Sequence, residues 1–190
     1  MLFQPAPFCG RHLFPQFLNE RRLVGDAVEV GTHRGYFAYD ILAAWKGRHL
    51  YCVDPYVSGY CDGDPASESN RAEDEAEAKR VLAPYAERVT HIRAMSTDAA
   101  ASFLDDSFDF VYVDANHDRF HTVSDLCAWW PKIRSGGILA GHDFMERNYH
   151  LHGKGVQPAV TDFANSHGVP NIFLVAEIPE GPWSYYMEKP

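Results

Sequence analysis

The residues best suited to chemistry in this 190-residue chain are two acids and two histidines: Asp114, His117, His142 and Asp143. Asp114 closes the apolar run 108–113 and Asp143 closes the run that follows Gly136 and Gly137, so both read as acids at the ends of strands. Neighbouring strands lie about 4.8 Å apart, and two carboxylates at matching tips could share one divalent cation. Without a cation they would repel each other, and one would tend to stay protonated. A second group comes earlier. Glu29, Gly31, Thr32 and Gly35 surround the break after an apolar run containing Val28 and Val30, and Asp54 ends the next run, 50–53. In a parallel α/β sheet, ligands bind beyond the carboxyl ends of the strands, which would bring Gly31 and Asp54 together at one edge. Gly31 would allow close backbone approach, and Asp54 offers two acceptor oxygens to a vicinal diol such as a ribose.

These groups need a scaffold that carries them to one edge. The stretch 36–45 has no Pro or Gly and reads as a helix entered from Gly35; further helices are expected over 67–85, 99–104, 119–130 and 156–167. Strands are expected at 89–93, 108–113 and 136–143, with 171–177 and 183–187 forming a hairpin joined through 178–182. Residues 1–10 hold two prolines and a glycine and read as an irregular arm. A preliminary helix over 11–23 starts or breaks near Pro15, with Phe14, Phe17 and Leu18 at helical spacing. On 119–130, Phe120, Val123, Cys127 and Trp130 form one apolar stripe that reads as core, and Ser96 or Thr97 is a candidate helix cap. The repeated β-α order followed by a hairpin favours an α/β fold, a doubly wound seven-stranded Rossmann-like sheet. It is expected to be one domain over 1–190, with an arm and helix in 1–24 and the core in 25–190.

Composition narrows the function. A formal charge of −9 argues against a general nucleic-acid binder, because such affinity rests on neutralising phosphates with Lys and Arg. No run is long and apolar enough to span a membrane, and residues 1–5 lack a charged segment leading into an apolar one; the expectation is a cytoplasmic protein without a membrane partner. Cys9, Cys52, Cys61 and Cys127 include no C-x-x-C pair and read as free thiols in a reducing compartment, with Cys52 and Cys127 as small buried hydrophobes. The loop 55–65 has the length and aromatic content of a lid or binding loop, with a disordered insertion as the rival reading. Tyr56, Tyr60 and Trp183 are candidate substrate contacts, whereas His150, His152 and Lys154 read as solvated loop residues.

A dinucleotide site needs G-x-G-x-x-G, and this chain has Glu29-x-Gly31-x-x-x-Gly35 instead. Together with Asp54, that pattern resembles motif I of the class I S-adenosylmethionine-dependent methyltransferases. The resemblance implies S-adenosylmethionine as cofactor, its methionine end at the glycine turn and its ribose on Asp54. Ser96 or Asp98 would read the adenine amine, although helix capping explains both equally well. The segment from Asp114-Ala-Asn-His117 to Gly136-Gly through His142-Asp143-Phe144 resembles the metal-dependent sugar and small-molecule O-methyltransferases. By that resemblance Asp114 and Asp143 become ligands of a divalent metal, His117 the general base, and Asp114 also a neighbour of the cofactor. His142 stands where the acid-acid form of the pair has a carboxylate, and imidazole suits transition metals better than magnesium. The implied acceptor is a hydroxyl of a sugar or another small polar molecule, and a homo-oligomer is compatible with the chain. The competing readings are a methyltransferase-like scaffold that has lost catalysis and an NAD-binding Rossmann domain, the latter disfavoured by the missing glycine. A nucleic-acid amino-methyltransferase would resemble its relatives in an N/D-P-P-aromatic motif, where this chain has Asp-Ala-Asn-His.

Overall fold

A computed structural model describes residues 1–58, 70–144, 155–177 and 183–190. Tyr60, Cys61, His150, His152, Lys154, most of the loop 55–65 and the hairpin connection 178–182 lie outside the described residues.

One sheet organises the chain. Its strands are β1 (Leu2–Pro5), β2 (Asp26–Val30), β3 (His49–Val53), β4 (Val89–Ile92), β5 (Phe108–Val113), β6 (Ile133–Phe144), β7 (Asn171–Val175) and β8 (Trp183–Glu188). Their spatial order is β1-β7-β8-β6-β5-β2-β3-β4. Only β8 runs antiparallel to its neighbours, β6 and β7. The helices are α1 (Phe14–Glu20), α2 (Tyr36–Ala44), α3 (Arg71–Leu82), α4 (Ser96–Ala101), α5 (Arg119–Trp129) and α6 (Val156–Ser166).

Alternation along the strands feeds two cores. On β5, Val111 and Val113 pack with Leu126 and Trp129 of α5 and with Val160 and Phe163 of α6. Phe110 and Tyr112 face the other way, onto Phe14 and Leu18 of α1 and Ile41 and Leu42 of α2. The doubly wound α/β sheet is therefore as the sequence indicates, with all seven expected strands present.

The eighth strand, β1, comes from the arm that reads as irregular. Leu2 N donates to Pro170 O at 2.8 Å and Ala6 N to Leu174 O at 2.9 Å, so Pro5 occupies the alternate register, where its missing N–H would face the open side of the edge. An edge strand is the one place in a sheet that tolerates such a proline.

Two other expectations change. On α5 the buried face is Thr122, Asp125, Leu126 and Trp129, whereas Phe120 is 76% exposed and Cys127 is exposed. Both residue sets have helical spacing; Trp129 decides the rotation, its ring packing on Phe103 and Phe108 and its Nε1 donating to Ser96 Oγ. That hydrogen bond, at 2.9 Å, also settles the capping question for Ser96, which is the first residue of α4. Met95 is the cap residue, and no side chain caps this end.

Candidate active site

The tips of β2, β3, β5 and β6 meet at one edge, and the glycine turn is the point where they lock together. Gly31 has φ +93°, and a Cβ there would lie 1.9 Å from Asp114 O. Gly31 is therefore required by the approach of the β5 tip, where the sequence suggested access for a ligand. The junction is closed by Asp114 N donating to Val30 O and Gly31 N to Val53 O, both at 2.8 Å. Gly35 has φ +77°, sits at the entry to α2 and leaves room for Ala78 and Leu82 of α3.

Asp54, just past β3, meets the turn as expected. Its Oδ2 accepts from His33 N and its Oδ1 from Tyr56 N, each at 2.8 Å, so the carboxylate staples two loops together. Each oxygen keeps a second lone pair for a diol. Tyr56 is itself buried, its hydroxyl donating to His33 O at 3.0 Å.

Glu29 is 2% exposed. Burial pushes its carboxyl up to about 8; the nearby Thr32 side chain and Arg11 oppose this, while Asp114 and Asp54 add to it. Glu29 Oε2 and Thr32 Oγ1 are buried without a hydrogen-bond partner among the described residues. A buried acceptor of this kind beside the turn suits a cationic group such as an amino acid's ammonium. Ser96 is buried on the side of the Trp129 indole, whereas Asp98 is exposed in the first turn of α4.

On the other side of Asp114 the donors converge. One donor atom each from Asp114, His117 and Asp143 lies within 4.8 Å of the others. His117 Nε2 is 3.4 Å from Asp114 Oδ1 and 3.2 Å from Asp143 Oδ2. His142 Nδ1 is 3.0 Å from Asp143 Oδ2 and 4.0 Å from Asp114 Oδ1. The alternation of a regular strand would send His142 and Asp143 to opposite faces, so both could reach one ion only where the regular strand is interrupted. The strand continues to Phe144 and bulges here. Gly141 pairs with Tyr185 and Phe144 with Trp183, leaving His142 and Asp143 opposite Ser184 alone, and Asp143 takes φ +59°.

The short α5 entry loop fixes His117. Asp118 caps α5 by accepting from His121 N at 2.9 Å, and Gly155 packs so closely that a Cβ there would lie 2.0 Å from Arg119 N and 2.6 Å from His117 O.

One residue of this site is not indicated by any motif. Arg11, in a short 3-10 turn (Arg11–Leu13) before α1, places Nη1 3.1 Å from Asp114 Oδ2 and its guanidinium 5.0 Å from the centre of the Phe37 ring. Burial works against ionisation of Asp114, but His117, His142 and Arg11 outweigh it and hold the carboxyl well below the usual carboxylate range.

A methyltransferase-domain family profile matches residues 28–144, well over half the chain and the whole span from β2 to the end of β6. The chain belongs to this methyltransferase family. It is an S-adenosylmethionine-dependent enzyme. Solved methyltransferases share the fold at low identity. The O-methyltransferase from Bacillus cereus in complex with SAH is 15% identical at a TM-score of 0.67, over 97% of this chain and 84% of that one. A proposed caffeoyl-CoA O-methyltransferase from Staphylococcus aureus is 14% identical at 0.66, over 94% and 82%. An rRNA methylase from Streptococcus thermophilus is 11% identical at 0.59, over 92% and 96%. No curated protein matches the sequence significantly. Among the described residues, no helix is long and apolar enough to cross a membrane.

Proposed function

We propose that this methyltransferase acts on oxygen, transferring the methyl group of S-adenosylmethionine to a hydroxyl of a small polar acceptor such as a sugar, with a divalent cation at the β5 and β6 tips. The observation that carries the proposal is the convergence of Asp114, His117 and Asp143 next to the glycine turn. The two carboxylates, with His142 Nδ1 3.0 Å from Asp143 Oδ2 and 4.0 Å from Asp114 Oδ1, are a donor set that fits a divalent cation and leave His117 Nε2 for a proton. In this reading Asp114 and Asp143 hold the ion, with His142 as a further donor beside Asp143. When bound, such an ion lowers the pKa of an aliphatic hydroxyl and orients its oxygen.

The side chains account for the rest. Glu29 and Asp114 take the cofactor's ammonium, Asp54 its ribose, and the buried surface around Ser96 its adenine, with exposed Asp98 at the rim. His117 Nε2, flanked by both carboxylates, takes the acceptor's proton, because the imidazolium that forms is stabilised by the two acids on either side. Most of the acceleration then comes from holding oxygen and methyl in line at reacting distance. An inactive scaffold would have no use for this arrangement of acids and histidines beside the cofactor. The neighbouring O-methyltransferases named above favour an oxygen acceptor by analogy. The same analogy suggests a small-molecule partner and, from the free thiols, a cytoplasmic setting.

The test is methyl transfer from labelled S-adenosylmethionine to a panel of sugars and polyols. Transfer is expected to stop with a chelator, return with added divalent metal, and be lost in His117→Ala while S-adenosylhomocysteine still binds. Full-rate transfer in both the chelated enzyme and the variant would sink the proposal.

A further inference from the structure

Most backbone donors of the glycine turn are already engaged. Gly31 N and Thr32 N donate to Val53 O at 2.8 and 3.4 Å, His33 N to Asp54 Oδ2 at 2.8 Å, and Gly35 N to Thr32 O at 2.8 Å. Around it, Asp54 and Asp114 suit the ribose and the ammonium and repel a carboxylate, while the buried Glu29 carboxyl, pushed up by burial, adds an acceptor and little charge. S-adenosylmethionine nevertheless brings an α-carboxylate to this place, where a cation would offset the repulsion of the acids and the Thr32 hydroxyl is an uncommitted side-chain donor of the turn among the described residues. Arg34, the arginine within the turn, is tied to Asp74 of α3, its Nε donating to Asp74 Oδ1 at 2.8 Å. Arg11 remains.

We propose that Arg11 binds the α-carboxylate of S-adenosylmethionine, reaching over Phe37 from the N-terminal turn while Asp114 holds the other side of its guanidinium. The proposal rests on the cofactor lying over the turn after β2. A guanidinium has five N–H donors in a planar fork suited to a carboxylate, and Asp114 Oδ2 takes one of them here. The Arg11 side chain is 37% exposed, so the group is half open at the edge where the cofactor lies. Its backbone is held in place, with Arg11 N donating to Glu177 Oε1 and Gly10 N to Ala176 O, both at 2.8 Å. Arg11 and Asp114 thus set a cation and an anion side by side, which matches the charge layout of an amino-acid zwitterion.

Calorimetric titration separates this role from a structural one. The ligands are S-adenosylhomocysteine, its decarboxylated analogue, which keeps the ammonium, and 5′-methylthioadenosine, which has neither group. Wild type is expected to prefer S-adenosylhomocysteine over the decarboxylated analogue, and Arg11→Met to weaken S-adenosylhomocysteine roughly 10- to 100-fold while the other two ligands change little. Arg11→Lys should restore part of the loss. Equal weakening of all three ligands in Arg11→Met, or no weakening of S-adenosylhomocysteine, overturns the assignment. If Arg11→Met does not fold, wild type decides alone: equal affinity for S-adenosylhomocysteine and its decarboxylated analogue overturns the assignment and leaves the cofactor site standing. Failure of wild type to bind any of the three removes the site itself.

Discussion

Glu29→Gln tests whether the acid behind the glycine turn is held in a strained protonation state. In the folded protein the carboxyl is pushed from 4.5 up to about 8, first of all by burial. An acid whose folded pKa is raised binds its proton more tightly when folded. Its contribution to stability is therefore greatest below pH 4.5, declines as the pH climbs, and has been lost in full above about pH 8. The difference of about 3.5 units corresponds to about 5 kcal/mol at most, taking 1.36 kcal/mol per unit. Glutamine is close to isosteric and carries no such penalty. The variant should match wild type, apart from a constant offset, near pH 4.5, and gain on it steadily toward about pH 9. For a chain of this size the gain is roughly 10 to 20 °C in Tm at the alkaline end. Thermal unfolding followed by circular dichroism at several pH values reads it directly. A Tm difference that stays constant across the whole range would show that Glu29 is ionised at no cost, and the reasoning would fail.

Two glycines give further predictions. Gly31→Ala forces a Cβ to within 1.9 Å of Asp114 O at φ +93°, so the β5 tip must move; a Tm loss of roughly 10 °C or more is expected, measured by thermal unfolding. Gly155→Ala drives a Cβ against the backbone of His117, Asp118 and Arg119. It should cut methyl transfer on the order of 100-fold while leaving S-adenosylhomocysteine affinity close to wild type in calorimetry, because the cofactor's acids do not move.

The sequence made the parts of the site that sit at strand ends easy to find. Asp54, Asp114 and Asp143 each follow an apolar run and Glu29 interrupts one just before the glycine turn, and parallel strands bring such positions to one edge whatever their separation along the chain. What it could not reveal is which surface a residue serves. Gly31 was recognisable, but its reason is a neighbouring carbonyl 1.9 Å from the Cβ it lacks, and only the β2–β5 pairing discloses that. The α5 stripe held at Trp130, which is buried, and failed at Phe120 and Cys127, because a second set at helical spacing carries Trp129 and the packing of that ring set the helix's rotation. The bulge in β6 left no local mark, since Asp143 is an ordinary residue asked to adopt φ +59°. Arg11 was invisible for a different reason. It meets Asp114 across 103 positions of sequence, from the start of the stretch read as a preliminary helix, just past an arm whose prolines read as irregular.

That arm has a consequence for how the protein comes into being. β1 pairs with β7, and Arg11 N is anchored on Glu177, 166 positions later. During synthesis β1 must wait, unpaired, until β7 has been made. The nascent chain can assemble most of its sheet in the meantime, yet the arginine reaches its post only when the final hairpin arrives, so truncated products would carry the core without a finished cofactor cradle.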